Sequence, residues 1–227
     1  MKEIGIITGA SSGLGKEFVK QIAQRNDLDE IWIIARRQNL LDEIAQNINS
    51  QKNFNVVRPI AMDISGKDAV NNFSNLLKEE NNKLEKVESS ICIKLFINNA
   101  GFGTYGPFVE TSISKQMDMI ELNCVSMTGL CYAVIPYLTK GSVVINTASL
   151  AAYMPLGNFS VYSATKAYAL SFSIALRAEL KHKGIKVCAL CPGSVSTDFA
   201  NIASNGARKE VKGGVSPVKV VKQCIRR

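Results

Sequence analysis

The sequence predicts an α/β fold in which helices cover both faces of a doubly wound parallel sheet. Three observations carry this expectation. Apolar runs of strand length alternate with amphipathic stretches of helical period along the chain. The strand-like runs are almost continuously apolar, the pattern of strands buried on both faces. The first of them passes directly into a glycine-rich turn that opens a helix. A length of 227 residues with 46% apolar side chains suits one such unit over residues 1–227, with a core large enough to need no cross-links.

The elements follow in order. Lys2–Thr8 is the first strand, and Gly13–Arg25 a helix with Phe18, Val19 and Ile22 on one face. Glu30–Ala35 is the second strand, followed by a helix over Gln38–Ser50 with Leu41, Ile44 and Ile48 as its apolar stripe. Asn53–Ile60 is the third strand, ended around Pro59 and followed by Met62-Asp63-Ile64. A polar helix runs from Gly66 into Lys78–Ser90, a segment of mixed charge expected to face solvent. Ile93–Asn98 is strand four, Ile113–Leu138 a long helix, Ser142–Ala148 strand five, Ser160–Lys183 a second long helix stopped by Gly184, and Ile185–Cys191 strand six. Ser194–Val215 is rich in Gly, Ser and Asn and reads as a lid or loop.

The formal charge of +8 comes from basic residues scattered along the chain, which favours a small anionic ligand over nucleic acid. The six cysteines, at 92, 124, 131, 188, 191 and 224, fall mostly in apolar stretches and read as buried thiols of a reducing cytoplasm. Cys188 and Cys191 are spaced like a redox pair, but residues three apart on a strand point to opposite faces. No apolar run of membrane-spanning length and no leader is expected. His182, the only histidine, sits between two lysines at a helix end, so no Ser-His-Asp hydrolase is expected, and no metal site is needed.

Three features carry chemistry. Gly9, Ser11, Ser12, Gly13, Leu14 and Gly15 form a strand-to-helix turn whose backbone N–H groups and helix dipole suit a phosphate, although a tight turn alone would also explain the glycines. Where a dinucleotide site for NAD places an acidic residue after the second strand, this chain has Arg36 and Arg37, a pair suited by charge and geometry to a 2′-phosphate and hence to NADP(H) over NAD(H). Tyr162 and Lys166 are four apart and share a helix face, so an ammonium beside the phenol would lower its pKa toward the range of a general acid. Ser149 ends strand five, at the sheet edge where ligands of such folds bind.

With these residues in place the sequence resembles the short-chain dehydrogenase/reductase family over nearly its whole length. The motifs are Thr8-Gly9-(x)3-Gly13-x-Gly15, Asp63, Asn98-Asn99-Ala100-Gly101, Asn123, Ser149, Tyr162 with Lys166, and Pro192-Gly193-Ser194-Val195-Ser196-Thr197. The resemblance implies a Rossmann-type oxidoreductase with an Asn123-Ser149-Tyr162-Lys166 catalytic set. Tyr162 would protonate the carbonyl oxygen, Lys166 would lower its pKa and bond the nicotinamide ribose, Ser149 would orient the substrate and Asn123 would hold a relay water. Asp63 and Ile64 would meet the adenine, Asn99, Ala100 and Gly101 would line the cofactor cleft, and Pro192, Gly193, Val195 and Thr197 would meet the nicotinamide end. Arg36 marks the NADP-preferring pattern.

The substrate expectation rests on the candidates Phe102, Tyr105, Ala151, Met154, Phe159 and residues of the 194–215 lid, beside Ser149 and Tyr162. Ketoacyl chains, hydroxysteroids and simple ketones or aldehydes all fit. The chain ends soon after Ser216-Pro217, so six strands are expected without the family's seventh. A homodimer is compatible with this, whereas the family's tetramer is in doubt. A non-catalytic NADP(H)-binding sensor or scaffold is the competing expectation.

Overall fold

A computed structural model describes residues 1–52, 56–204, 206 and 213–226. Six strands form one sheet: β1 (Lys2–Thr8), β2 (Glu30–Ala35), β3 (Val57–Ala61), β4 (Ile91–Asn98), β5 (Leu138–Thr147) and β6 (Lys186–Leu190). Their order is β3-β2-β1-β4-β5-β6, with every adjacent pair parallel. The chain therefore winds outward in one direction from β1 to β3, then returns to the middle at β4 and winds the other way. Such a reversal opens a crevice at the carboxyl ends of the two central strands.

Alternation along the strands divides the core into two faces. Ile4, Ile6, Trp32, Ile34, Phe96, Val144 and Val187 pack against α3 (Gly66–Glu85), α5 (Met127–Val134) and α6 (Ser160–Leu180). Ile7, Ile31, Ile33, Ile97 and Ile145 pack against α1 (Gly13–Ala23), α2 (Gln38–Asn49) and α8 (Pro217–Ile225).

Several expectations need correction. The third strand runs through Pro59 to Ala61, which is tolerated because β3 is an edge strand and a missing N–H can face its open side. Residues 53–55, where that strand was expected to start, lie outside the described residues. Glu80, within the segment expected to face solvent, is largely covered and bonds Arg58 at 2.8 Å, holding its carboxyl down at about 2. Arg58 in turn lies 5.1 Å from the Trp32 ring, so the pair roofs the edge of the core.

The long helix is not uniform. α4 (Ile113–Ile120) passes into a wide π turn over Glu121–Ser126 before α5, and a short 3₁₀ turn over Ile135–Tyr137 closes it. Ser126 Oγ donates to the Glu121 carbonyl at 3.0 Å and Thr128 Oγ1 to the Cys124 carbonyl at 2.8 Å, so side chains occupy carbonyls along the widened turn. By length and composition the stretch Ile113–Tyr137 could cross a membrane, contrary to the expectation that no run would, yet half of its apolar window is buried inside this fold. Within the expected lid lies α7 (Phe199–Ala203), and Val195 bridges to Val215. Residues 205 and 207–212 of it lie outside the described residues.

Of the two cysteines spaced like a redox pair, Cys188 is exposed rather than buried, because its face of edge strand β6 is left uncovered, and Cys191 beyond the strand end is half-buried. Cys92, Cys124, Cys131, Cys188 and Cys191 are free thiols.

The two halves of the sheet are joined where β1 meets β4. Thr8, fully buried, accepts hydrogen bonds on its hydroxyl from the N–H groups of both Asn99 and Ala100 at 3.0 Å. Replacing Thr8 with Val keeps the shape but strands both donors. We expect a loss of about 2–4 kcal/mol, read as a lowered midpoint of thermal unfolding with no change in far-UV circular dichroism.

Candidate active site

The crevice collects the residues singled out in the sequence. On the β1 side, Gly9 takes a left-handed φ of +65°, and a Cβ there would stand 2.9 Å from the Ala100 Cα. A Cβ on Gly15 would stand 2.1 Å from the Gly9 carbonyl oxygen. The turn therefore closes tightly on itself and on the β4 end, with Ser12 extended before α1 and Leu14 packed into the core. Gly13 (φ +55°) lies with Thr197 at 3.7 Å from its would-be Cβ, which brings the lid segment over the turn.

The two arginines are not equivalent. Both are exposed, but Arg37 Nη2 donates to Ser11 Oγ at 2.9 Å and so reaches back over the glycine turn. Asp63 follows β3 and accepts from the Ser65 N–H at 3.0 Å, while the Ile64 side chain is buried in the core beside Phe73 rather than open to a ligand. A turn of backbone donors that no side chain can fill, with a guanidinium tied across it, fits the phosphates of a dinucleotide.

Asn99 stitches three strands at the crevice floor. Its Nδ2 donates to the Thr8 carbonyl at 3.1 Å, and its Oδ1 accepts from Thr147 Oγ1 at 3.3 Å. Gly101 leaves room beside it, since a Cβ there would stand 2.7 Å from Asn123 Oδ1 and 3.5 Å from Lys166 Nζ. At the far end the Pro192 carbonyl accepts from the Leu150 N–H at 2.9 Å, and Gly193 lies against Leu150.

The four candidate catalytic residues converge from three elements. Ser149 stands just past β5, its hydroxyl accepting from the Ala151 N–H at 3.2 Å. Tyr162 and Lys166, 9% and 5% exposed, lie on the buried face of α6. Asn123 sits in the π turn, accepting from the Phe102 N–H at 3.2 Å and donating to the Phe102 carbonyl at 2.9 Å and to Thr165 Oγ1 at 3.1 Å. Thr165, whose hydroxyl also donates to the Tyr162 carbonyl at 2.8 Å, thus ties Asn123 to α6. Nothing in its sequence context distinguishes Thr165 from any other helical threonine.

The electrostatics differ from the simple expectation for a Tyr/Lys pair. Burial pushes the Tyr162 phenol above its usual value, and the side chain pulling it back is the Ser149 hydroxyl rather than Lys166. The ammonium lies 5.7 Å from the Tyr162 ring centroid and donates to the Thr147 carbonyl at 2.8 Å. Burial lowers Lys166 itself to about 8, partly opposed by Cys124 and Cys191 nearby.

Of the apolar candidates, Ala151, Phe102 and Phe159 cluster around Tyr162, whereas Met154 is 62% exposed and outside that cluster. Two residues that sequence reasoning did not single out, one of them within the expected lid, join them. Phe199 of α7 lies 5.4 Å from Tyr162 between ring centroids, and Gly103 leaves the space in which the two rings meet. The lid segment had no periodicity from which Phe199 could be singled out. A separate cavity of about 640 Å³ between α2 and β3 is lined by none of the site residues.

A cation whose folded pKa is depressed destabilises the fold while charged, and that penalty fades as pH climbs from the folded value toward the unfolded one. Relative to Lys166→Met, the native protein should therefore gain stability between pH 8 and 10.5, by at most on the order of 3 kcal/mol. Parallel unfolding curves of the two proteins across that range check the sign.

The comparisons with known proteins agree with this geometry. The family model for short-chain dehydrogenases matches residues 3–207. An uncharacterised oxidoreductase of Staphylococcus epidermidis is 28% identical over 93% of this chain and 86% of its own. The very-long-chain 3-oxoacyl-CoA reductase of Rattus norvegicus is 32% identical over 88% of this chain, which spans only 62% of that protein. A short-chain dehydrogenase from Sphingobium yanoikuyae, solved in complex with NADPH, superposes with a TM-score of 0.82 at 25% identity over 100% of this chain and 84% of that one. With its switch-point crevice, its glycine turn and this match over most of its length, the chain belongs to the short-chain dehydrogenase family.

Proposed function

We propose that this oxidoreductase of the short-chain dehydrogenase family prefers NADPH and reduces the carbonyl of an apolar or amphipathic substrate, with Tyr162 as the proton donor. The observation that carries the reading is the meeting of Ser149, Tyr162, Lys166 and Asn123 beside a glycine cradle at the strand-order reversal.

The nicotinamide cofactor, bound across the glycine turn and the Asn99–Gly101 floor, would supply the hydride. The chain supplies the rest. Tyr162, raised by burial, is protonated at neutral pH and so is ready to donate to an oxygen that gains charge. Ser149 Oγ adds a second hydrogen bond to that oxygen and sets its direction. Lys166, buried beneath Tyr162 and bonded to the Thr147 carbonyl, bonds the cofactor ribose when the cleft is filled. Asn123, clamped on Phe102 and Thr165, holds the water through which the proton is replaced. Asp63 meets the adenine. Pro192, Gly193, Val195 and Thr197 close the nicotinamide end.

The NADPH preference is supported by Arg37, fixed over the turn by Ser11, with Arg36 free beside it for a 2′-phosphate. The substrate class is supported by the apolar ring of residues around Tyr162 and by the likeness to a very-long-chain 3-oxoacyl-CoA reductase. A binding-only sensor would have no use for the proton relay.

Two outcomes test this. Titration followed by nicotinamide fluorescence should show NADPH bound at least about tenfold more tightly than NADH, with Arg36→Asp narrowing or reversing the ratio. Equal affinities in the native protein would remove the NADPH preference. Tyr162→Phe should lower kcat by roughly 10²–10⁴-fold while leaving NADPH affinity nearly unchanged, and a variant that keeps full turnover would end the assignment of Tyr162.

A further inference from the structure

The crevice carries more aromatic surface than proton transfer needs. Tyr105, Phe159, Tyr162 and Phe199 form one row, with successive ring centroids 5.0, 5.3 and 5.4 Å apart and planes inclined at 63°, 51° and 47°. The Tyr162 ring thus meets both Phe159, the residue just before its own helix, and Phe199 from α7.

The placement of Phe199 is built into the fold at several points. A Cβ on Gly103 would stand 2.8 Å from Phe199 Cζ and 2.9 Å from Tyr162 Cδ2, so the two rings meet only because residue 103 has no side chain. The far end of α7 is pinned to the same loop, since the Tyr105 N–H donates to the Ala203 carbonyl at 2.8 Å. Its near end is fixed by the Phe199 N–H, which donates to Thr197 Oγ1 at 3.3 Å. Opposite, Asn158 Nδ2 donates to the Tyr105 hydroxyl at 3.3 Å, and the Asn158 carbonyl accepts from the Gly106 N–H at 2.9 Å. The row is therefore held at both ends by hydrogen bonds from the chain that carries it.

We infer that Phe199, with Phe159 also meeting Tyr162, is a specificity-determining residue that selects carbonyl compounds bearing a flat aromatic group next to the C=O. The inference rests on the reading of Tyr162 as the proton donor. A carbonyl oxygen bonded by Tyr162 and Ser149 places the group attached to the carbonyl beside the Tyr162 ring, within the aromatic row. Tilted rings at these separations reward a planar π group by edge and offset contacts, which an alkyl chain of equal size does not make. Burial of apolar area favours both kinds of substrate alike, so the difference between them isolates the rings.

The test compares acetophenone and 2-octanone, which share a carbon count and a methyl ketone, with NADPH and the native protein, Phe199→Leu and Phe199→Ala. The native kcat/KM should favour acetophenone, and both variants should lower the acetophenone-to-octanone ratio by roughly three- to tenfold, Leu preserving apolar bulk so that loss of packing alone does not produce the change. Native NADPH affinity in every variant confirms that the site is folded. A ratio unchanged by either substitution, with both ketones still reduced, overturns the role of Phe199 and leaves the reductase reading standing. Tight NADPH binding without reduction of either ketone by the native protein or the variants overturns this selectivity. A variant that binds NADPH and reduces neither ketone when the native protein reduces both also overturns it, because Phe199 is then needed for turnover rather than for choice.

Discussion

The Thr8 hydroxyl holds the point on which the rest of the molecule turns. In a parallel sheet whose strand order reverses at its centre, the two middle strands diverge at their carboxyl ends and leave backbone donors without strand partners. Here Thr8 meets two of those donors, from Asn99 and Ala100, while the Asn99 side chain returns a bond to the Thr8 carbonyl and accepts one from Thr147. The three strand ends are locked at one spacing, and that spacing sets the width of the crevice. The glycines at 9, 15 and 101 then let backbone and side chains come closer than any Cβ would permit. The glycine turn and the floor of the crevice are one construction.

The second constraint is burial. Lys166 lies almost wholly inside the protein, facing a carbonyl and two thiols rather than a carboxylate. Its pKa is therefore drawn down to about 8, and Tyr162 beside it is raised by the same exclusion of water. A site in this state holds its proton on the phenol and tunes the lysine near neutrality, so each is sensitive to what fills the cleft. The π turn contributes to the same end. Widening the helix at Glu121–Ser126 places Asn123 against Phe102 and Thr165, joining the β4 loop to the helix of Tyr162.

Much of this was legible in the sequence. The strand runs Lys2–Thr8 and Glu30–Ala35 end where expected, because a continuous apolar run bounded by a glycine turn or an arginine pair admits few other boundaries. The candidate site residues could be picked out for a related reason: a strand end suited to phosphate carries glycine, and Tyr162 and Lys166 lie one helical turn apart on the same face of a helix. The edge strand β3 was harder, since Pro59 reads as a stop until it is known that one side of that strand has no neighbour. The π turn was not legible at all, because the local pattern of Ile113–Leu138 is that of an ordinary apolar helix and the widening is held by hydroxyls reaching nearby carbonyls.

The sequence by itself determined the order of elements, the parallel sheet, the glycine turn and the identity of the residues at its mouth, since these follow from periodicity and from side-chain chemistry at strand ends. Only the tertiary structure decided that Arg37 rather than Arg36 is tied to the turn, that Ser149 rather than Lys166 draws the phenol down, and that Phe199 closes on Tyr162. Each of these depends on which of several chemically equivalent groups arrives at a given point in space, and that is fixed by the packing of distant elements rather than by any local pattern.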